Sequence, residues 1–413
     1  MAYKYYDIII IGSGISGLYA AYNIKKKSPT TTLLVLEKYK KNWIGGRTSN
    51  DTFYDTEIVT GAGVGRKAKD KLLLKLVKEL DLDVCEYDVN PNYSHTIHTI
   101  NINEVFDLLK NELQKYKGPP ITFKNFAINI LGIDKYKQFL VTNGYTDYEN
   151  EDVYETVYNY GMEDNNFNWT AFQLHWKTLV NKLEKYIGET NFKFSNNVNK
   201  ITKIQNVPCT FLIQTVKGNS YICNKLIIAG TINTIHELLP KKSIYNDIAG
   251  QPFLRLYAKF SKSSIPIMDE YVKGLTITNF PLQKIMPINK EKGIYMIAYC
   301  DNKNATTLSK HLENNEDNRD LYCRLVEKSL GIANDTLNIT AIKDYYWKTG
   351  THYFKPLDKK IYINREKFIE KAQNPEKGIL IVGEVVSQNH GWTEGALDSV
   401  KKVLTSQWIK QTC

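Results

Sequence analysis

Gly12, Gly14 and Gly17 stand in the pattern Gly-x-Gly-x-x-Gly, and an acid, Glu37, follows about 20 residues past the last of them. Those residue types at that spacing suit one kind of chemistry, the holding of a dinucleotide. Gly12 permits a tight turn. Gly14 lets the backbone approach a pyrophosphate, with Ser16 beside it in the same turn, and Gly17 lets a helix pack against the strand before it. Free N–H groups at the start of that helix, with their partial positive charge, then face the phosphates. The Glu37 carboxylate accepts from ribose hydroxyls and disfavours a phosphorylated ribose, so NADP is not expected. Positioning these residues takes a strand, a turn, a helix and a second strand. The chain supplies them in order: an apolar run over Tyr6–Ile11, a helical stretch over Leu18–Lys27, and Thr-Leu-Leu-Val-Leu ending in Glu37.

The 413 residues are too many for one compact core and predict two domains, or one with a large insertion. A hydrophobic fraction of 42% is enough to build cores. No stretch approaches the roughly 20 uninterrupted apolar residues of a membrane span. The first strand follows directly on Met1–Lys4, which leaves no room for a cleaved signal, so a cytoplasmic location is expected. The 6 cysteines include no C-x-x-C pair, which argues against zinc and dithiol chemistry and predicts free thiols. His95 and His98 form H-x-x-H without further ligands at a metal-site spacing, so no metal is expected. The net charge of +10 comes from lysines spread along the chain, which reads as a solvated surface and not as a specific nucleic-acid site.

Beyond the first β-α-β unit, residues 67–82 carry apolar residues at helical spacing, and Asn101–Tyr116 is a helix ended by Gly118-Pro119-Pro120. Residues 121–185 read as mostly helical and rich in aromatics. From about 192 the period changes to that of strands: Phe192–Ile204, Cys209–Thr215, Tyr221–Ala229, 252–260 and 293–300. Glu316–Leu330 is helical, 378–384 is a buried strand, and Gly395–Lys410 is the closing helix. The fold class is therefore α/β. A Rossmann-type dinucleotide-binding domain, split into 1–75, 191–245 and 371–413, holds an inserted α+β substrate domain with a helical part, 76–190, and a sheet part, 246–370.

The chain resembles the FAD-dependent amine oxidases, the group of monoamine, polyamine and L-amino-acid oxidases. The resemblance runs nearly full length and is dense at four places: Gly12–Gly17 with Glu37; Gly45-Gly46-Arg47-Thr48; Gly61-Ala62-Gly63; and Gly383-Glu384 followed by Gly391-Trp392-Thr393-Glu394-Gly395-Ala396. The middle also resembles amine-oxidase-like proteins of large DNA viruses, which implies a viral protein, cytoplasmic or carried in the virion. By resemblance, Gly45 and Gly46 bring backbone to the flavin side of FAD and Arg47 balances phosphate or flavin charge. Gly61, Ala62 and Gly63 pass close to the ring, and Val198 offers backbone bonds to the adenine. Glu384, after Gly383, accepts from the ribityl chain or reaches the phosphates through water. Thr393 to Ala396 place a helix start near the flavin C2 carbonyl.

The resemblance also implies an aromatic slot for the substrate nitrogen, with Tyr353 as one wall and Trp392 as the other; core packing is the alternative for both rings. Two positions depart from the family. His352 stands where monoamine oxidases attach FAD through cysteine, so FAD is expected without a covalent bond. Arg255 stands where many members keep a lysine near flavin N5; it either holds a water or pairs with a substrate carboxylate. Lys259 is an alternative for that position, because strand alternation puts both on one side. Arg66 is a second candidate for a carboxylate, with a surface arginine as the plainer reading, and Glu151, Asp152 and Glu155 are candidates for an acidic polyamine entrance. The function implied is an oxidoreductase that moves hydride from an amine or amino acid to flavin N5, with O2 reoxidation to H2O2. The alternatives are a same-fold enzyme of C–C bonds, desaturase- or porphyrinogen-oxidase-like, and a flavin-binding but catalytically idle protein.

Overall fold

The computed structural model describes residues 3–161, 169–205, 207 and 209–411. Ile8 to Ile11 are all buried, as a central parallel strand with both faces covered requires. Their strand, Lys4–Ile11, lies between Leu33–Leu36 and Ser220–Ile228, parallel to both. Ile379–Ile381 pairs parallel to the end of Ser220–Ile228, and an antiparallel hairpin, Val198–Lys203 with Phe211–Thr215, completes one side. Three separate stretches of chain thus share one sheet. Alternation sends Ile8 and Ile10 into one core, under the helices Ile15–Lys27, Trp176–Ile187 and Thr393–Val403. Ile9 and Ile11 go into the other, with Phe354 and Phe368.

The second sheet runs Ile339–Phe354, Ile248–Phe260, Ile294–Asp301, Lys284–Asn289, Thr276–Ile277 and Asn92–Tyr93 in spatial order. One of its cores holds Leu254, Leu256 and Ile297 with Tyr322 and Val326 of the helix Glu316–Leu330. The helices Ile102–Lys115, Phe123–Leu131, Ile133–Asn143 and Val153–Tyr158 form a lobe with a core of their own around Leu109, Phe123 and Phe139.

Several elements differ from expectation. Trp169–Gln173, inside the stretch expected to be mostly helical, is a strand held antiparallel between Gly65–Arg66 and Cys85–Val89. Tertiary pairing of its aromatic and β-branched residues overrides the local pattern; residues 162–168 of that stretch lie outside the described residues. The strand expected over Phe192–Ile204 breaks at Ser195, whose φ of 54° turns the chain between two sheet partners. The closing helix ends at Val403 and restarts at Ser406, where the Thr405 side chain caps it. Cys85, Cys223, Cys300 and Cys323 are free thiols, but Cys209 is disulfide-bonded, which corrects the expectation there; Cys413 lies outside the described residues. Among the described residues no helix is long and apolar enough to cross a membrane.

Candidate active site

The glycine turn is built by steric need. A Cβ on Gly17 would sit 2.1 Å from the Gly12 carbonyl oxygen, so helix and turn meet only with hydrogen there, whereas a Cβ on Gly14 meets nothing within 4 Å. The space at Gly14 opens into a cavity of about 680 Å³, within the range of small-molecule and cofactor sites. Gly14, Ser16, Gly45, Arg47, Gly61, Ala62, Gly63, Arg255, Gly383, Glu384, Trp392, Thr393 and Ala396 all line it, so most of the residues expected at the site converge there.

Two helices start at this cavity. Ile15–Lys27 begins after Gly14 and Thr393–Val403 after Trp392, and neither has a side-chain cap. Their first N–H groups remain available to an anionic partner. Glu394, in the first turn of the second helix, is turned away and accepts from the Leu72 and Leu73 amides at 2.9 Å each.

Glu37 is buried and braces the turn. One carboxylate oxygen accepts from the Ser13 amide and hydroxyl at 2.8 Å each, the other from the Tyr39 amide at 2.9 Å. Neither Glu37 nor Val198, nor Gly12, Gly17 and Gly46, is among the residues that line the cavity. Val198 opens its strand, buried in the second core of the first sheet.

Glu384 sits in a polar clamp. Arg47 donates to it at 3.0 Å, the Gly391 amide at 3.3 Å, and His352 from Nδ1; Arg47 also reaches the Gly350 carbonyl. Burial pushes the Glu384 carboxyl up, but the Nδ1–H of His352 and the Arg47 guanidinium, both donating to it, outweigh that and hold the group well below the usual carboxylate range. Burial likewise pushes His352 down.

Arg255 is fixed by its neighbours. Its Nε donates to the Gly61 carbonyl at 2.7 Å, its guanidinium stacks 4.2 Å from the centroid of Tyr299, and Nη2 lies beside Gly63. Lys259 is at the far end of the same strand, partly exposed and bonded to the Lys292 carbonyl. Alternation does put both on one side, since Leu254, Leu256, Ala258 and Phe260 share the core on the other face, but Arg255 lines the cavity and Lys259, four residues further along, does not. Position 255 is therefore the one that faces the cavity.

Three expectations are corrected. Tyr353 is not among the lining residues, so it does not form a slot with Trp392 there. A bulge is the reason: Gln251 pairs with Thr351 but Phe253 with Trp347, and the extra residues bring Gly350 and Thr351 to the wall instead. Arg66 is not a surface arginine. It is 4% exposed, paired with Asp70 at 2.7 Å and stacked 3.9 Å from the Trp392 ring centroid. Glu151, Asp152 and Glu155 form no entrance; all are buried, Asp152 and Glu155 on Arg365 and Glu151 on His390.

The cavity also takes in residues that pattern reading missed: Tyr145, Asp147, Tyr160, Phe253, Tyr299 and His390. Tyr299 was findable in principle, since it lies directly across from Arg255 in the sheet. Asp147 carried no such signal, being one of several acids between 147 and 152.

A model of NAD(P)-binding Rossmann-like domains matches residues 10–80. An uncharacterised protein of Acanthamoeba polyphaga mimivirus is 22% identical, over 97% of this chain and 94% of its own length. Among solved structures, wild-type putrescine oxidase bound to putrescine superposes with a TM-score of 0.74 at 13% identity, covering 96% of this chain and 98% of that one. A protein from Exiguobacterium sp. 255-15, described provisionally as a protoporphyrinogen oxidase, superposes with a TM-score of 0.72 at 14% identity over 100% of both chains. The chain thus shares the fold of these two structures over nearly its whole length.

Proposed function

We propose that this chain is an FAD-dependent oxidoreductase that oxidises the C–N bond of a small amine or amino acid, with O2 as final acceptor and H2O2 as product. The observation that carries the reading is the opening of two uncapped helix starts, after Gly14 and after Trp392, into one cavity that Arg255, Tyr299 and Trp392 also wall. FAD fits the residues present: the open space at Gly14 suits a pyrophosphate, and the second helix start suits an electron-rich ring carbonyl. When bound, FAD supplies the two-electron acceptor. The chain's own residues bind, orient and exclude water. Arg47 and Glu384 set the charge beside the helix start, Arg255 fixes the Gly61–Gly63 segment, and the aromatic walls keep the reacting carbon dry. Both nitrogens of His352 are committed to protein partners, which supports a non-covalent cofactor.

The equally close Exiguobacterium fold favours a second reading, oxidation of a C–C bond. The mimivirus relative supports a viral origin. The test is purification, a flavin spectrum and anaerobic reduction by amines, amino acids and porphyrinogens. Bleaching by amines or amino acids alone supports the C–N reading, bleaching by porphyrinogens alone favours the second, and a protein that stays colourless with added FAD overturns both.

A further inference from the structure

Asp147 is 8% exposed, lines the cavity and is incompletely paired. One carboxyl oxygen accepts from the Tyr160 hydroxyl, and the other has no partner among the described residues. The other acids facing it are satisfied. Asp301 accepts from the Thr146 amide and hydroxyl and from Gln283 at 3.2 Å, and Glu151 has Thr156 and His390. Among the described residues acting on it the one cation, Lys284, is turned onto the Gly144 carbonyl and the Tyr145 ring. Burial, then the charge of Asp301, pushes the Asp147 carboxyl up to about 8. The groups acting on Asp147 are Asp301, Tyr160, Glu151 and Lys284, so carboxylates outnumber cations around it.

We propose that Asp147, held by Tyr160, is an anchoring site for a substrate ammonium group remote from the oxidised carbon, so that the enzyme prefers dicationic amines to monocationic ones. This rests on the reading of the cavity as an amine site. A buried carboxylate with one unfilled oxygen is suited to N–H donors of positive charge. At neutral pH the carboxyl holds its proton until the ammonium arrives. Binding then ionises Asp147 and releases that proton to solvent.

The test uses flavin-loaded protein and two ligands with no hydrogen on the amine-bearing carbons, which cannot be oxidised: a diamine with both amino groups on tertiary carbons, and the monoamine of matched length. Calorimetry at pH 7 in buffers of different ionisation enthalpy reads affinity and proton release together. The diamine is expected to bind about tenfold tighter or better, with proton release that the monoamine does not show. In Asp147→Asn the preference and the release both vanish, and in Tyr160→Phe the preference shrinks. Equal affinity for the two ligands in the unmodified protein, with no proton release, overturns the proposal without needing any variant to fold. Failure of amines to reduce the flavin would instead count against the amine-oxidase reading itself.

Discussion

His352 and Glu384 share one buried hydrogen bond, and a third group fixes where its proton lies. Nε2 of His352 accepts from the Ile232 amide at 3.1 Å, so that nitrogen carries no hydrogen; Nδ1 therefore carries it and donates to Glu384. Burial, which pushes the imidazole down, agrees with this neutral form. The ring thus ties the strand Ile339–Phe354 to the start of the helix Ile232–Leu238 and to the cavity wall.

Removing that tie strands a buried donor and leaves a hole. His352→Ala is expected to cost roughly 2–5 kcal/mol, read by urea unfolding at pH 7. A loss under about 0.5 kcal/mol would mean that water replaces the ring and that the pair is not structural.

Gly14 and Gly17 separate binding from folding. Gly17→Ala puts a methyl against the Gly12 carbonyl and is expected to destabilise by at least about 1–3 kcal/mol. Gly14→Ala has room in the apo fold, so Tm holds while the protein emerges with little flavin. Normal flavin content in Gly14→Ala would place the cofactor elsewhere.

Arg255→Met removes a charged hydrogen bond to Gly61 and the stack on Tyr299. Loss of such a bond is worth about 1.5–3 kcal/mol, so anaerobic flavin reduction should slow about 10- to 100-fold. Stopped-flow absorbance is the measurement, and an unchanged rate would relegate Arg255 to packing.

Trp392→Ala and Tyr353→Phe should part company. The first opens the wall and frees the face of Arg66, and reduction is expected to slow about tenfold or more. The second lies outside the lining and is expected to leave the rate within about twofold. A large effect at Tyr353 would restore it to the slot.

Asp147 gives a pH signature in the apo protein. Its carboxyl is raised by burial to about 8, so as pH climbs from about 4 the unfolded chain gives up a proton that the folded chain keeps. Folded stability therefore falls with rising pH across that window, by at most about 1.4 kcal/mol per unit from this group. Relative to the unmodified protein, Asp147→Asn should gain stability between pH 5 and 8, followed by thermal unfolding at several pH values (window from the raised carboxyl). A constant difference across the range would show that Asp147 is ionised throughout.

The features readable from the order of residues alone were local or short-range. The Gly12–Gly17 turn, the four isoleucines before it and the Gly391–Ala396 helix start were legible because each depends on neighbours a few residues away, and Glu37 because it follows the turn at a known spacing. Even Arg255, as a departure at a known position, was readable as a candidate. Where Tyr353, Arg66 and Asp147 lie was decided only by the tertiary structure. Between Gln251 and Phe253, two steps along one strand meet four along its partner, and that bulge decides which of Gly350, Thr351 and Tyr353 reaches the cavity. Alternation assumes an unbroken register, and one-dimensional periodicity carries no record of where the register slips. The Arg66 side chain found Trp392 from the far end of the chain, and Asp147 stood out from its acidic neighbours only once their partners were in place. Such contacts are fixed by how sheets and helices stack, because burial and pairing are properties of the assembled core and not of any single segment.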